Sequence, residues 1–211
     1  MLCSIILVRG GDMNKTRKLA VCGVFGALAT ILYVVPFFKF PLPFLFPSFL
    51  EFNFSDIPTL IAGFAYGPVS AFFVHLIKII IKLPMSSTAC VGELADFIIG
   101  LLFVIPAAVY YRKNKTRKGA LIGLGLSLVI ATGTAILVNR YITIPFFTKT
   151  FGLETIMGMA TSANGNITDA KWSLVLLGVL PFNFFKNIVV CILTFLLYKK
   201  ISNVINKYGA K

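Results

Sequence analysis

An apolar run near the end of this chain, Trp172–Lys200, leaves it few folds to choose from. It reads WSLVLLGVLPFNFFKNIVVCILTFLLYKK and holds two asparagines and a lysine near its middle. A helix needs roughly 20 apolar residues to cross a hydrocarbon core of ~30 Å, and this run suffices. Asn183, Lys186 and Asn187 stand at i, i+3 and i+4, so a helix gathers them on one face. Lysine at membrane depth costs roughly 2.5–3.5 kcal/mol or more, so that face is expected to look into a helix bundle rather than at lipid. A lone asparagine is explained as well by helix gluing as by a ligand. An Asn-x-x-Lys-Asn cluster just past a helix-bending proline, Pro181, favours a ligand site.

Similar runs recur upstream. The 211 residues are 58% hydrophobic and 13% charged, with a mean hydropathy of +0.91. That is the composition of a multi-pass membrane protein, and one compact bundle is the natural domain count. The formal charge of +13 does not imply nucleic acid, because the cations sit in short clusters between apolar spans, as the positive-inside rule expects. Cys3, Cys22, Cys90 and Cys191 are scattered without a C-x-x-C pair, which argues against zinc and against a disulfide framework.

Residues 1–14 read as an N-terminal extension or a misassigned start. The apolar part of MLCSIILVRGGD is too short to span and lacks a basic lead, whereas Met13 opens MNKTRKLA, an ordinary beginning for a cytoplasmic N-terminus. Residues 15–211 are expected to form the transmembrane domain. Its first span, Leu19–Phe38, carries small residues at Ala20, Gly23 and Ala27, and Gly23-x-x-x-Ala27 lets another helix approach closely. The next segment, FKFPLPFLFPSFLEFNFSD, holds Pro41, Pro43 and Pro47 and cannot be one helix. Apolar yet irregular, it is expected to be covered by protein or to lie at an interface, as a loop over a binding site would.

Asp56, or Ser55, is expected to cap a short helix, IPTLIAGFAYG. The span Val69–Leu83 then aligns His75, Lys78 and Lys82 on one face. Lys82 can snorkel to the interface, while Lys78 lies deeper and needs a partner. Glu93 and Asp96, in the first turn of the helix that follows PMSSTACVG, are the candidate partners of Lys78 or Lys186. An interior pair between Glu93 and Lys78 is the specific expectation, with either residue a candidate ligand contact. The Arg112–Lys118 loop is strongly basic. A span over Gly119–Ile142 contains Asn139 near its far end, and Thr148–Lys171 reads as a partly helical external connector. The sum is an all-α membrane protein of about six transmembrane helices, with a short second helix and both termini cytoplasmic.

Several chemistries are missing. The sequence has no P-loop and no Gly-x-Ser-x-Gly elbow. It has no metal-ligand spacing, and His75 is its only histidine. An enzyme is not expected, no metal or resident cofactor is implied, and any ATP-driven motor must be another subunit.

The run EFNFSDIPTLIAGFAYGP, then GELADF and PFNFFKN, resembles the substrate-binding S components of energy-coupling factor (ECF) transporters, and the riboflavin-specific group among them. The likeness runs from about Lys15 to Lys200. It implies a six-helix binding protein of the cell membrane with an outward-facing vitamin pocket, working with a transmembrane T component and two cytoplasmic ATPases. It places Asn139, Asn183 and Lys186 on the vitamin. It also puts Gly23 and Ala27, with Ala20 beside them, at the docking positions for the partner. The cargo implied is riboflavin, with FMN left open. Independently, a flat ring with a uracil-like edge asks for aromatic walls and asparagine amides, which this chain holds. An S component for folate or thiamine, and a structural or channel protein, remain the alternatives.

Overall fold

The computed structural model describes residues 15–208, most of them helical. In order, the chain forms α1 (Lys15–Val34), the strands β1 (Lys39–Pro41) and β2 (Glu51–Asn53), α2 (Asp56–Tyr66) and α3 (Pro68–Lys82). It continues with α4 (Val91–Lys113), α5 (Arg117–Val138), α6 (Ile144–Phe151), α7 (Leu153–Ala163) and α8 (Leu180–Tyr208). The expected N-terminal extension and the start at Met13 lie outside the described residues.

Four helical stretches are long and apolar enough to cross a membrane: Pro68–Met85, Val91–Lys113, Arg117–Phe151 and Trp172–Tyr198. Their outward residues, among them Leu121, Val129, Ile192 and Leu196, are large, apolar and exposed, as a lipid-facing surface requires. The protein is an integral membrane protein. Helix α1 is apolar over Lys18–Val34, a shorter stretch, and it stops before the expected Phe38 because Pro36 and the residue ahead of it resist helix.

The short second helix holds the centre. Nine residues of α2, Asp56 through Phe64, are buried, and it packs against α1, α3, α4 and α8. A helix apolar all round belongs inside a protein. Gly67 joins it to α3 at φ +94°, a backbone region open to glycine, and Pro68 sits in the first turn of α3, where its missing N–H is harmless.

Two apolar clusters fill the bundle. One surrounds α2 and includes Leu60, Phe64, Phe103, Leu124, Val190 and the hydrogen-bonded pair Tyr111–Tyr198. The second lies toward the other end, with Phe46, Phe52, Phe147, Ile167, Leu174 and Phe182. The proline-rich segment covers that end. It is an antiparallel ribbon with Phe40 opposite Phe52, clamped by Lys39 Nζ to Glu51 Oε2 at 2.5 Å.

Three boundaries differ from the sequence expectation. Only Asn114–Thr116 separate α4 from α5, so the expected basic loop is two helix ends around a short turn. Thr116 caps α5 by accepting from the Gly119 N–H at 2.9 Å. The helix expected to stop at Ile142 runs on to Phe151, so the connector begins late and is largely α7. Gly152, at φ +89°, breaks the chain between α6 and α7.

Candidate functional site

The bundle buries a cluster of charges where α2, α3, α4 and α8 meet. Lys78 is fully buried. Its Nζ is 2.7 Å from Asp56 Oδ1 and 3.2 Å from Asp96 Oδ2, and it donates to Ser55 Oγ at 2.8 Å. The ammonium also lies 5.1 Å from the centre of the Tyr33 ring, within cation–π range. Lys186 reaches the same centre from α8, with Nζ 3.7 Å from Asp96 Oδ1. Two lysines thus face two carboxylates and the formal charges cancel, which is the condition under which ions persist in a membrane interior.

His75 stands beside this node on α3. Its ring is fully buried, stacks on Phe97 at 5.7 Å between centroids, and meets the Phe97 carbonyl at 3.3 Å through Nε2. The space for it comes from Gly100: a Cβ there would overlap His75 Cε1.

Two expectations are corrected. Glu93 does not pair with Lys78. Its Oε2 accepts from Ser86 Oγ at 2.6 Å and Thr88 Oγ1 at 3.1 Å, which ties down the turn before α4. Asp96, one turn deeper, takes the lysines instead, so α3 and α4 are linked as expected but through a different acid. Asp56 is not a cap either. It is the first residue within α2, Ser55 makes no capping bond, and the carboxylate is turned onto Lys78.

Asn183 lies one turn before Lys186 on α8, and Asn139 directly follows α5. Each is buried and donates from Nδ2 to the carbonyl four residues earlier, Ala135 and Val179, at 2.9 Å. One amide N–H is thereby used, and neither Oδ1 accepts a hydrogen bond among the described residues. Asn187 differs: its amide reaches Thr132 Oγ1 on α5 at 3.4 Å, a helix-to-helix tie.

Asn139 opens one π-helical turn, Asn139–Thr143, and Val179, whose carbonyl Asn183 engages, closes another, Val175–Val179; the two turns touch. The sequence reading missed them, yet a signal is present. Pro145 and Pro181 each stand two residues past a π turn. Proline cannot donate to the carbonyl four residues back and its ring crowds that carbonyl, so the helix widens there. Such turns gather at functional sites.

Aromatic rings close the assembly from the ribbon side. Phe46 meets Phe182 at 5.4 Å and Phe185 at 5.9 Å, and Phe52 meets Phe54 at 5.1 Å. A polar floor with aromatic walls is the usual form of a small-molecule site. Among the described residues no cluster of histidine, cysteine and acid is arranged to hold a metal. The small residues expected at a partner surface lie elsewhere: Ala20, Gly23 and Ala27 are exposed on α1, and a Cβ at Gly23 would meet nothing within 4 Å.

A family model described as the substrate-specific component of ECF transporters matches residues 17–198. The chain belongs to this family. The S component is 29% identical to the riboflavin transporter RibU of Staphylococcus aureus strain TCH60, over 93% of this chain and 96% of that protein. It is 30% identical to the riboflavin transporter FmnP of Bacillus subtilis strain 168, over 89% of this chain and 93% of that one. A solved structure of the S component of a bacterial ECF transporter superposes with a TM-score of 0.73 at 29% identity, covering 91% of this chain and 99% of that one. These relatives are transport proteins rather than enzymes.

Proposed function

We propose that this S component binds riboflavin in a pocket between the ribbon and the node, and delivers it to an ECF importer in the cell membrane. The observation that carries the reading is the burial of three polar side chains, Asn139, Asn183 and Lys186, with hydrogen-bonding capacity left over. Among the described residues both asparagine carbonyls accept nothing, and Lys186 makes one ion pair, at 3.7 Å. Riboflavin presents an imide edge and hydroxyls that these groups can meet, while Phe46, Phe52 and Phe182 suit its ring. Full-length similarity to two riboflavin transporters supports the same cargo.

In this reading residues 15–211 are the binding domain, residues 1–14 precede it, and α1–α5 with α8 make six spans. The turn between Lys113 and Arg117 carries basic residues on both flanks, and α8 runs to Lys199 and Lys200. The positive-inside rule puts those ends and both termini in the cytoplasm and the pocket outside. The sequence carries no P-loop, so uptake requires a T component and two ATPases, with Ala20, Gly23 and Ala27 as the docking face. Asn187, Lys78 and Glu93 support the pocket rather than line it.

Fluorescence titration of the purified chain tests the cargo. Riboflavin emission should quench to saturation, thiamine and folate should not compete, and FMN is assayed alongside. Saturable binding of thiamine or folate with no response to riboflavin would reject the reading.

A further inference from the structure

A cation remains that the node does not use. Arg140 lies in the π turn after α5, and its guanidinium carbon is 5.4 Å from the Tyr141 ring centre and 5.3 Å from that of Trp172. Its Nε is buried without a hydrogen-bond partner, and no carboxylate pairs with it among the described residues. At ~1.5 Å per residue, Arg140 is roughly 35 Å along the helix from Arg117, close to the ~30 Å thickness of a hydrocarbon core. Trp172 opens the last span, Trp172–Tyr198. The trio therefore sits at the membrane interface opposite the Lys113–Arg117 turn, the depth at which tryptophan and tyrosine form belts. One helical turn deeper on the same two helical stretches, Leu137 and Leu176 are 56% and 49% exposed, placed to meet acyl chains.

We propose that Arg140, clasped between Tyr141 and Trp172, binds the phosphodiester headgroup of an anionic membrane lipid. A cation at the interface is drawn to anionic headgroups, and none of the described carboxylates competes for this one. Cation–π contact with two rings holds the guanidinium in place, and a guanidinium matches phosphate oxygens as a bidentate fork. The leucines below favour an anion attached to acyl chains over a free one. This inference rests on the membrane fold and does not depend on which vitamin is carried.

The test exposes the purified full chain to vesicles of equal parts phosphatidylglycerol and phosphatidylcholine. Lipid retained after detergent extraction is then counted by native mass spectrometry. Wild type should keep phosphatidylglycerol over phosphatidylcholine by about fivefold, the factor for roughly 1 kcal/mol per basic residue at an anionic surface. R140Q should bring the ratio near one, and W172L should lower it and serves if R140Q does not fold. K149Q, which removes an exposed cation on α6, should leave the ratio unchanged. A wild-type ratio near one overturns the proposal whatever the variants do. Equal retention by R140Q, or an equal loss in K149Q, overturns it too. Displacement of the lipid by excess inorganic phosphate would mark a free-anion site and likewise overturn it.

Discussion

Replacing Lys78 with methionine tests the buried node most directly. The side chain keeps its length but loses the charge, leaving Asp56 and Asp96 to share Lys186. At an effective dielectric of about 20, contacts of 2.7 and 3.2 Å correspond to roughly 6 and 5 kcal/mol of gross attraction. Desolvation of the three ions offsets most of this, so the net value of the cluster over an apolar core is small. The loss on removing one partner is not small, because the carboxylates stay buried: about 3–5 kcal/mol is expected. For a chain of this size each kcal/mol moves the midpoint by roughly 2–4 °C, so Lys78→Met should unfold at least about 6 °C earlier in detergent. Asp56→Asn/Lys78→Met restores the charge balance and should recover a good part of the loss. Glu93→Gln is the contrast: it keeps an acceptor toward Ser86 and Thr88 and should cost about 1 kcal/mol, the scale of a neutral hydrogen bond. An unchanged midpoint in Lys78→Met, or a double variant as unstable as the two single losses added, would refute the reasoning.

Asn183→Ala should weaken riboflavin binding by about 1–3 kcal/mol, the cost of leaving a buried group of the ligand unpaired; an unchanged Kd in fluorescence titration removes it from the pocket. Gly100→Ala drives a methyl into His75 Cε1, and with that ring fixed against Phe97 the overpacking should cost about 1–3 kcal/mol; a wild-type melting curve would show that His75 can move. Gly23→Leu with Ala27→Leu enlarges a face that none of the described residues covers. Riboflavin binding by the isolated subunit should persist while ATP-dependent uptake in liposomes carrying all subunits falls away; uptake at the wild-type rate would place the docking face elsewhere.

What could be read from the sequence, and what could not, divides along the range of the forces involved. Spans are written in local composition, so α3, α4, α5 and α8 were visible as apolar runs, and the short α2 between Asp56 and Gly67 was visible by its flanks. Helical periodicity gathered Asn183, Lys186 and Asn187 on one face, and the structure buries all three. Depth is harder, because Glu93 and Asp96 share a face one turn apart and nothing in the sequence says which turn is level with Lys78. Asp56 was misread for a different reason. An acid at the start of a helix already has a local explanation as a cap, which hides a partner 22 residues away on another helix. A stricter rule would have found it: a lysine as deep as Lys78 requires a compensating acid, and Asp56 is one of few acids flanked by apolar helix. The π turns were hidden because widening a helix by one residue leaves hydrophobic periodicity almost unchanged, while the prolines that force it, Pro145 and Pro181, read only as bends. Asn139 opens the first of those turns, and Val179, whose carbonyl Asn183 engages, closes the second. The geometry that makes a candidate pocket here thus arises where the chain departs from the regular helix that its apolar pattern specifies.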